Sequence, residues 1–180
     1  MIFTETDLKG SYIIEPEKVE DDRGFFTRSW DKRLFEQNGL NTNLVQCNIS
    51  FNKVKGIIRG LHYQTVPYEE VKLIRCTSGR IFDVIVDLRI NSTTFKKWIG
   101  LDLNSKNHKM VYVPEGFAHG FQTMEDETEV FYQMSQFYNL DFAKGIRWND
   151  KEINIKWPLK EIIISDRDKS FPDFQVGSKK

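Results

Sequence analysis

Gly56-Ile57-Ile58-Arg59-Gly60-Leu61-His62-Tyr63-Gln64, followed by Lys72-Leu73-Ile74-Arg75, is the stretch that decides how this chain is read. Both runs read as strands, along which successive side chains point to opposite faces. Gly60, His62 and Gln64 are therefore expected on one face and Arg59, Leu61 and Tyr63 on the other, while Lys72 shares its face with Ile74 and Cys76. An imidazole and an ammonium thus face an apolar interior, and a buried lysine is costly unless something uses it.

Outward from this core, short β-rich runs recur between turn signals at 12–17, 24–30, 44–49, 56–63, 71–77, 80–88, 94–101, 110–113, 117–124 and 129–136. Such spacing predicts an all-β sandwich or barrel. Residues 31–39 predict one short helix, with Asp31 as N-cap and Gly39 as the stop. Thr77–Arg80 and Asn104–Asn107 read as hairpin-type turns and Val113–Gly116 as a tight loop. The pattern is that of a double-stranded β-helix, a cupin-type jelly roll with short peripheral helices. One domain spanning 1–180 is expected, with residues 177–180 frayed.

Lysine plus arginine equal aspartate plus glutamate at 26 each, so no net field draws the chain to nucleic acid or an anionic membrane. A local basic pocket for phosphate stays open. The first residues lack a basic segment before an apolar core, and no apolar run approaches the roughly 18–20 residues of a membrane span. A soluble, cytoplasmic protein is expected. Cys47 and Cys76 could form one bridge but no disulfide scaffold, and Cys76 reads as a small buried hydrophobe.

Alternation places further polar groups on apolar faces: Asp83 with Ile81 and Ile85, His119 with Phe117 and Phe121, and Tyr132 with Val130 and Met134. Any one of His62, Lys72, Asp83, His119 and Tyr132, taken singly, reads as a hydrogen-bonded core residue. Five together point to a site. These residue types suit proton abstraction beside a carbonyl, which needs a base, a cation or donor for the enolate oxygen, and an acid on the opposite face. His62 suits the base, Lys72 the enolate oxygen and Tyr132 the opposite-face acid.

Read with PEGFAHGF at 114–121, GIRW at 145–148, IKWPL at 155–159 and SDRD at 165–168, the motif string resembles the nucleotide-sugar 3,5-epimerase family over nearly the whole chain. The resemblance implies that His62 is the base, paired with Asp168, a residue that spacing alone does not single out. It implies Lys72 at the substrate, Tyr132 as the acid and His119 as a substrate contact, with Asp83 nearby. Arg23 and Arg59 would hold a diphosphate, a task that suits guanidinium forks. Phe26, Arg28, Gln46, Asn48 and Tyr138 would line the sugar and nucleotide. It also implies a homodimer in which N-terminal strands pair across subunits, and a nucleoside-diphosphate 4-keto sugar as the ligand, with no metal and no cofactor.

Three positions depart from the family pattern: Arg28 replaces a glutamate near the nucleotide, Tyr68-Glu69-Glu70-Val71 replaces a Gln and a Gly before the lysine, and Cys47 replaces an aspartate. Arg28 predicts altered base recognition, since a guanidinium donates where a carboxylate accepts. The rival readings are a metal-dependent cupin, an epimerase inverting carbon 3 or carbon 5 alone on a differently linked sugar, a ketoisomerase, and a non-catalytic sugar-binding module. With only His62, His108 and His119 in the chain and Gln64 two after His62, a metal centre is disfavoured. A binding module gives no reason to bury Lys72 beside His62. The reading adopted is a cofactor-independent epimerase of a 4-keto-6-deoxyhexose.

Overall fold

The computed structural model describes residues 1–175, so the expected fraying of 177–180 lies outside the described residues. In chain order the elements are β1 (Ile2–Glu5), β2 (Tyr12–Glu15), β3 (Lys18–Asp21), β4 (Gly24–Thr27), α1 (Lys32–Gln37), β5 (Gln46–Asn52), β6 (Ile57–Gln64), β7 (Lys72–Ser78), β8 (Arg80–Asp87), β9 (Trp98–Asn104), β10 (Met110–Val113), β11 (Phe117–Thr123), β12 (Thr128–Met134), β13 (Ala143–Gly145), β14 (Ile163–Ile164) and α2 (Asp166–Lys169). One sheet runs β1-β2-β10-β7-β12-β5; the other runs β13-β6-β11-β8-β9, with β14 added parallel to β6. This is the jelly roll of the cupin type. Ile74, Cys76, Ile81, Ile85, Val111, Phe121 and Val130 from the two sheets fill the space between them.

The turns differ from expectation in an informative way. Thr77–Arg80 and Asn104–Asn107 do not close hairpins, because β7 and β8 lie in different sheets, as do β9 and β10. Each is a corner that carries the chain across the sandwich. Gly79 turns with a φ of 72°, and Asn104 Oδ1 accepts from the backbone N–H groups of Lys106 and Asn107 at 3.0 and 2.8 Å. The run expected from residue 94 begins as a strand only at Trp98. Thr94 instead hydrogen-bonds the buried Asp87 carboxylate, at 2.7 Å, and holds the preceding residues in a turn. The run expected at 12–17 ends at Glu15, and β3 and β4 pair only with each other, as a separate exposed hairpin.

The outer faces are covered as their composition requires. α1, capped by Asp31 Oδ1 accepting from the N–H groups of Arg33 and Leu34, sets Phe35 against Ile14, Leu73, Met110 and Tyr112. Leu61, Val84, Val86 and Ala118 on the second sheet are covered by Ile146, Ile153, Ile155 and Trp157 of the C-terminal segment. Gln122 pins that segment: its amide donates to Leu159 O at 3.2 Å and accepts from Leu159 N–H at 3.0 Å. Cys47 is exposed and Cys76 buried, and both are free thiols; burial pushes the Cys76 thiol up to about 12.

Candidate active site

Both sheets contribute to a cavity of about 500 Å³ lined by Gln46, Asn48, Arg59, His62, Gln64, Glu70, Lys72, His119, Tyr132, Tyr138, Lys144 and Arg167 among others. Strict alternation would send Arg59 away from His62. The register shows why it does not: His119 stands opposite His62 and Phe121 opposite Arg59, so three steps on β6 answer two on β11. This bulge turns Arg59 back to the cavity. Gly60 makes it possible, since its φ is 128° and a Cβ there would stand 2.6 Å from Gly120 Cα.

Asp168 reaches the site through the C-terminal segment. β14 pairs with Ile57 and Ile58, and Ser165 then caps α2, its hydroxyl accepting from Asp168 N–H at 3.1 Å. One Asp168 oxygen lies 2.9 Å from His62 Nε2, and the other accepts from the Gly60 N–H at 3.0 Å. Burial works against the charge of this carboxyl, but the bond from His62, the Gly60 N–H and the nearby Arg167 bring its pKa below the ordinary value. As an ionised acceptor it fixes the proton of His62 on Nε2 and leaves Nδ1 with its lone pair.

Lys72 Nζ stands 2.7 Å from Glu70 Oε1, and both side chains are almost fully buried. Tyr132, on β12, lines the same cavity; burial pushes its hydroxyl's pKa up, with the Glu70 charge adding to the rise and Arg59 and Asn48 opposing it. Gln46 Oε1 accepts from the Tyr138 N–H at 2.7 Å, holding that aromatic at the cavity wall. Arg59 Nε donates to Asn52 Oδ1 at 2.7 Å. Arg59, Lys144 and Arg167 make the lining cationic, with Arg167 donating to the Tyr138 hydroxyl at 3.4 Å.

Four expected lining residues are not in this cavity. Asp83 is fully buried behind His119, its Oδ2 2.7 Å from His119 Nε2, so it can touch a ligand only through that ring. Arg23 and Phe26 sit on the β3–β4 hairpin, Arg23 paired with Asp21 and Phe26 70 % exposed. Arg28 follows the hairpin and pairs with Asp31 at 3.2 Å. Conversely, Glu70, Lys144 and Arg167 were not singled out from sequence. Glu70 lay in the segment that departs from the family pattern, and Arg167 lay inside the SDRD motif. Those were the available signals.

Residues 5–176 match the family described as dTDP-4-dehydrorhamnose 3,5-epimerase. The dTDP-4-dehydrorhamnose 3,5-epimerase of Shigella flexneri is 44 % identical over 164 residues, covering 91 % of this chain and 90 % of the relative. The crystal structure of the dTDP-4-dehydrorhamnose 3,5-epimerase of Bacillus anthracis, with TDP and PPi bound, superimposes with a TM-score of 0.93 at 44 % identity, over 96 % of this chain and 99 % of that one. That of a dTDP-6-deoxy-D-glucose-3,5-epimerase from Legionella pneumophila, in complex with dTDP-4-keto-L-rhamnose, gives 0.90 at 33 % identity, over 96 % and 92 %.

Proposed function

Because the chain belongs to the dTDP-4-dehydrorhamnose 3,5-epimerase family, we propose that its cavity inverts carbon 3, carbon 5 or both of a nucleoside-diphosphate 4-keto-6-deoxyhexose through an enolate. The chain is an isomerase of nucleotide sugars. The observation that carries the mechanism is the convergence on one cavity of the His62–Asp168 pair, Lys72 and Tyr132. His62 Nδ1 takes the proton from the carbon beside the ketone, and the electron pair moves onto the carbonyl oxygen. Asp168 stabilises the imidazolium that results. The Lys72 ammonium meets the enolate oxygen, a contribution of about 10²- to 10³-fold for an oxyanion donor. Tyr132 returns a proton from the opposite face, inverting the centre; the imidazolium then releases its proton to solvent, and a proton from solvent restores the phenol.

Gln46, Asn48 and His119, the last oriented by Asp83, surround the sugar; Arg59, Lys144 and Arg167 supply charge for the diphosphate, and Tyr138 offers an aromatic face to the nucleotide. We further propose a homodimer in which the β3–β4 hairpin carries Arg23, Phe26 and Arg28 to the partner's cavity. None of the three lines the cavity of its own chain, and β5, which bounds that cavity, is an open sheet edge with Ile49 and Phe51 exposed. The whole chain serves as one catalytic domain. Its exposed free Cys47 suits a reducing compartment, which supports a cytoplasmic location; none of the described helices is long and apolar enough to cross a membrane.

The test is incubation of a dTDP-linked 4-keto-6-deoxyglucose in deuterated water, followed by NMR. Deuterium is expected at carbon 3, and its presence or absence at carbon 5 reports whether one centre or two invert. Absence of exchange at any carbon of dTDP-, UDP-, CDP- and GDP-linked 4-keto sugars would sink the proposal.

A further inference from the structure

Glu70 is a carboxylate inside the candidate active site to which neither the motif pattern nor the reaction outlined above gives a part. Its side chain is 7 % exposed and lies against a lysine side chain that is 10 % exposed, at 2.7 Å. Such a pair is a poor stability device, because desolvating two charges cancels most of their attraction, and apolar residues of similar volume would serve the fold as well or better. The second oxygen is also committed. It lies 2.8 Å from Gln64 Nε2, whose two hydrogens are shared among Glu70, Tyr68 O and Phe137 O, while the amide oxygen accepts from Asn139 N–H. The carboxylate is therefore held from both ends and aimed at Lys72 rather than at solvent.

The reaction needs Lys72 as an ammonium, since a neutral amine offers no cation to an enolate, and needs Tyr132 as a phenol, since a phenolate has no proton to give. Burial by itself favours the phenol of Tyr132, whereas the Lys72 ammonium stands in a buried position. A buried ammonium favours losing its proton unless a counter-charge holds it, and the other charges that face this cavity, Arg59, Lys144 and Arg167, together with His62 and His119 once protonated, are cations. Glu70 is the carboxylate that faces it in the described lining; Glu69 turns instead toward Gly116 and Glu115.

We propose that Glu70 is a positioning residue that holds the Lys72 ammonium in place and, together with burial, keeps Tyr132 a phenol for the epimerisation outlined above, a reading on which this inference rests. Of the three Lys72 N–H bonds, Glu70 takes one and leaves two for the substrate oxygen. Its charge also adds to the rise of the Tyr132 hydroxyl, against Arg59. The pair thus presets the protonation pattern before substrate arrives, and Gln64 couples it to the segment that carries Tyr138.

The experiment is the pH dependence of kcat for deuterium wash-in by the wild type, E70Q, E70A and E70D, with melting temperature recorded for each. Glutamine keeps the shape but has one oxygen to serve both Gln64 and Lys72, which is why E70A and E70D accompany E70Q. The alkaline limb of kcat in E70Q is expected about one pH unit lower, so that kcat falls about tenfold at pH values above the wild-type limb, because the anion no longer opposes loss of the proton. E70A should shift the limb the same way even if E70Q is unstable, and E70D, which keeps the charge, should restore it. An alkaline limb unmoved in a folded E70Q or E70A overturns the proposal, even if activity drops, because that pattern marks a purely structural role. A wild type that exchanges no proton fails the epimerase reading instead.

Discussion

Asp168→Asn tests the His62 dyad most sharply, because the amide forces a choice that the carboxylate avoids. Asp168 accepts two hydrogen bonds, from His62 Nε2 at 2.9 Å and from the Gly60 N–H at 3.0 Å. Asparagine has one acceptor oxygen to serve both. Turning its NH2 toward Gly60 would set two donors face to face and orphan a buried N–H, at a cost of about 1–3 kcal/mol, or roughly a 5- to 150-fold bias. The oxygen therefore goes to Gly60 and the NH2 to His62 Nε2, which must become the acceptor. The ring proton moves to Nδ1, and the atom that should take the substrate proton no longer has its lone pair. With the loss of the charge that stabilises the imidazolium, kcat for deuterium wash-in should fall by about 10³- to 10⁴-fold, the scale of tautomer inversion in other Asp–His pairs. Asp168→Ala removes the support without imposing the wrong tautomer and should cost about 10²-fold. The reasoning is refuted if Asp168→Asn stays within tenfold of the wild type, or is less impaired than Asp168→Ala.

Tyr132→Phe should retain part of the proton abstraction while losing inversion, since only the opposite-face acid is removed; equal loss of deuterium wash-in and of product by NMR would assign Tyr132 an earlier step. Asp87, whose charge burial opposes but whose bonds from Arg89, Ser92 and Thr94 hold its carboxyl at about 2, should contribute about 2 kcal/mol of stability. A depressed folded-state pKa gives stability that is present above the ordinary value of 3.8 and lost as pH falls through about 2. In urea titrations Asp87→Asn should therefore be the weaker protein at pH 7, with the gap closing toward pH 2; a constant gap would place the effect in packing alone. If the hairpin of one subunit completes the cavity of the other, mixing His62→Asn with Arg23→Ala subunits should raise activity above that of either variant, because each mixed dimer carries one intact site. No gain after confirmed subunit exchange would count against the shared site.

Alternation alone was enough to place Lys72, His119 and Tyr132 on inward faces, because a strand in a two-sheet sandwich has one buried side and a polar residue there stands out. The capped helix at 31–39 was equally legible, since Asp31 and Gly39 act within a few residues of chain. Arg59 shows the limit. Its return to the cavity depends on a bulge that exists only where β6 and β11 meet, so no count along β6 could yield it. The turns at 77–80 and 104–107 carry turn chemistry that is local, whereas their role as corners between sheets depends on which strands pair, a long-range outcome.

Asp168 and Arg23 divide the matter most clearly. The inward His62 was written in the sequence, but its partner lies 106 residues away and is delivered by β14, Ser165 and the Gln122 bonds that seat the C-terminal segment. Arg23 was assigned to the site by its motif, yet the folded chain turns its hairpin outward. The sandwich, its buried polar residues and the chemistry they favour were legible along the chain, because side-chain alternation and turn residues act over short spans. Which of those residues share a cavity, that Glu70 rather than Asp83 faces it, and that Arg23, Phe26 and Arg28 stay out of their own chain's cavity were matters for the tertiary structure, because distance between remote segments is set by strand pairing and core packing rather than by local pattern.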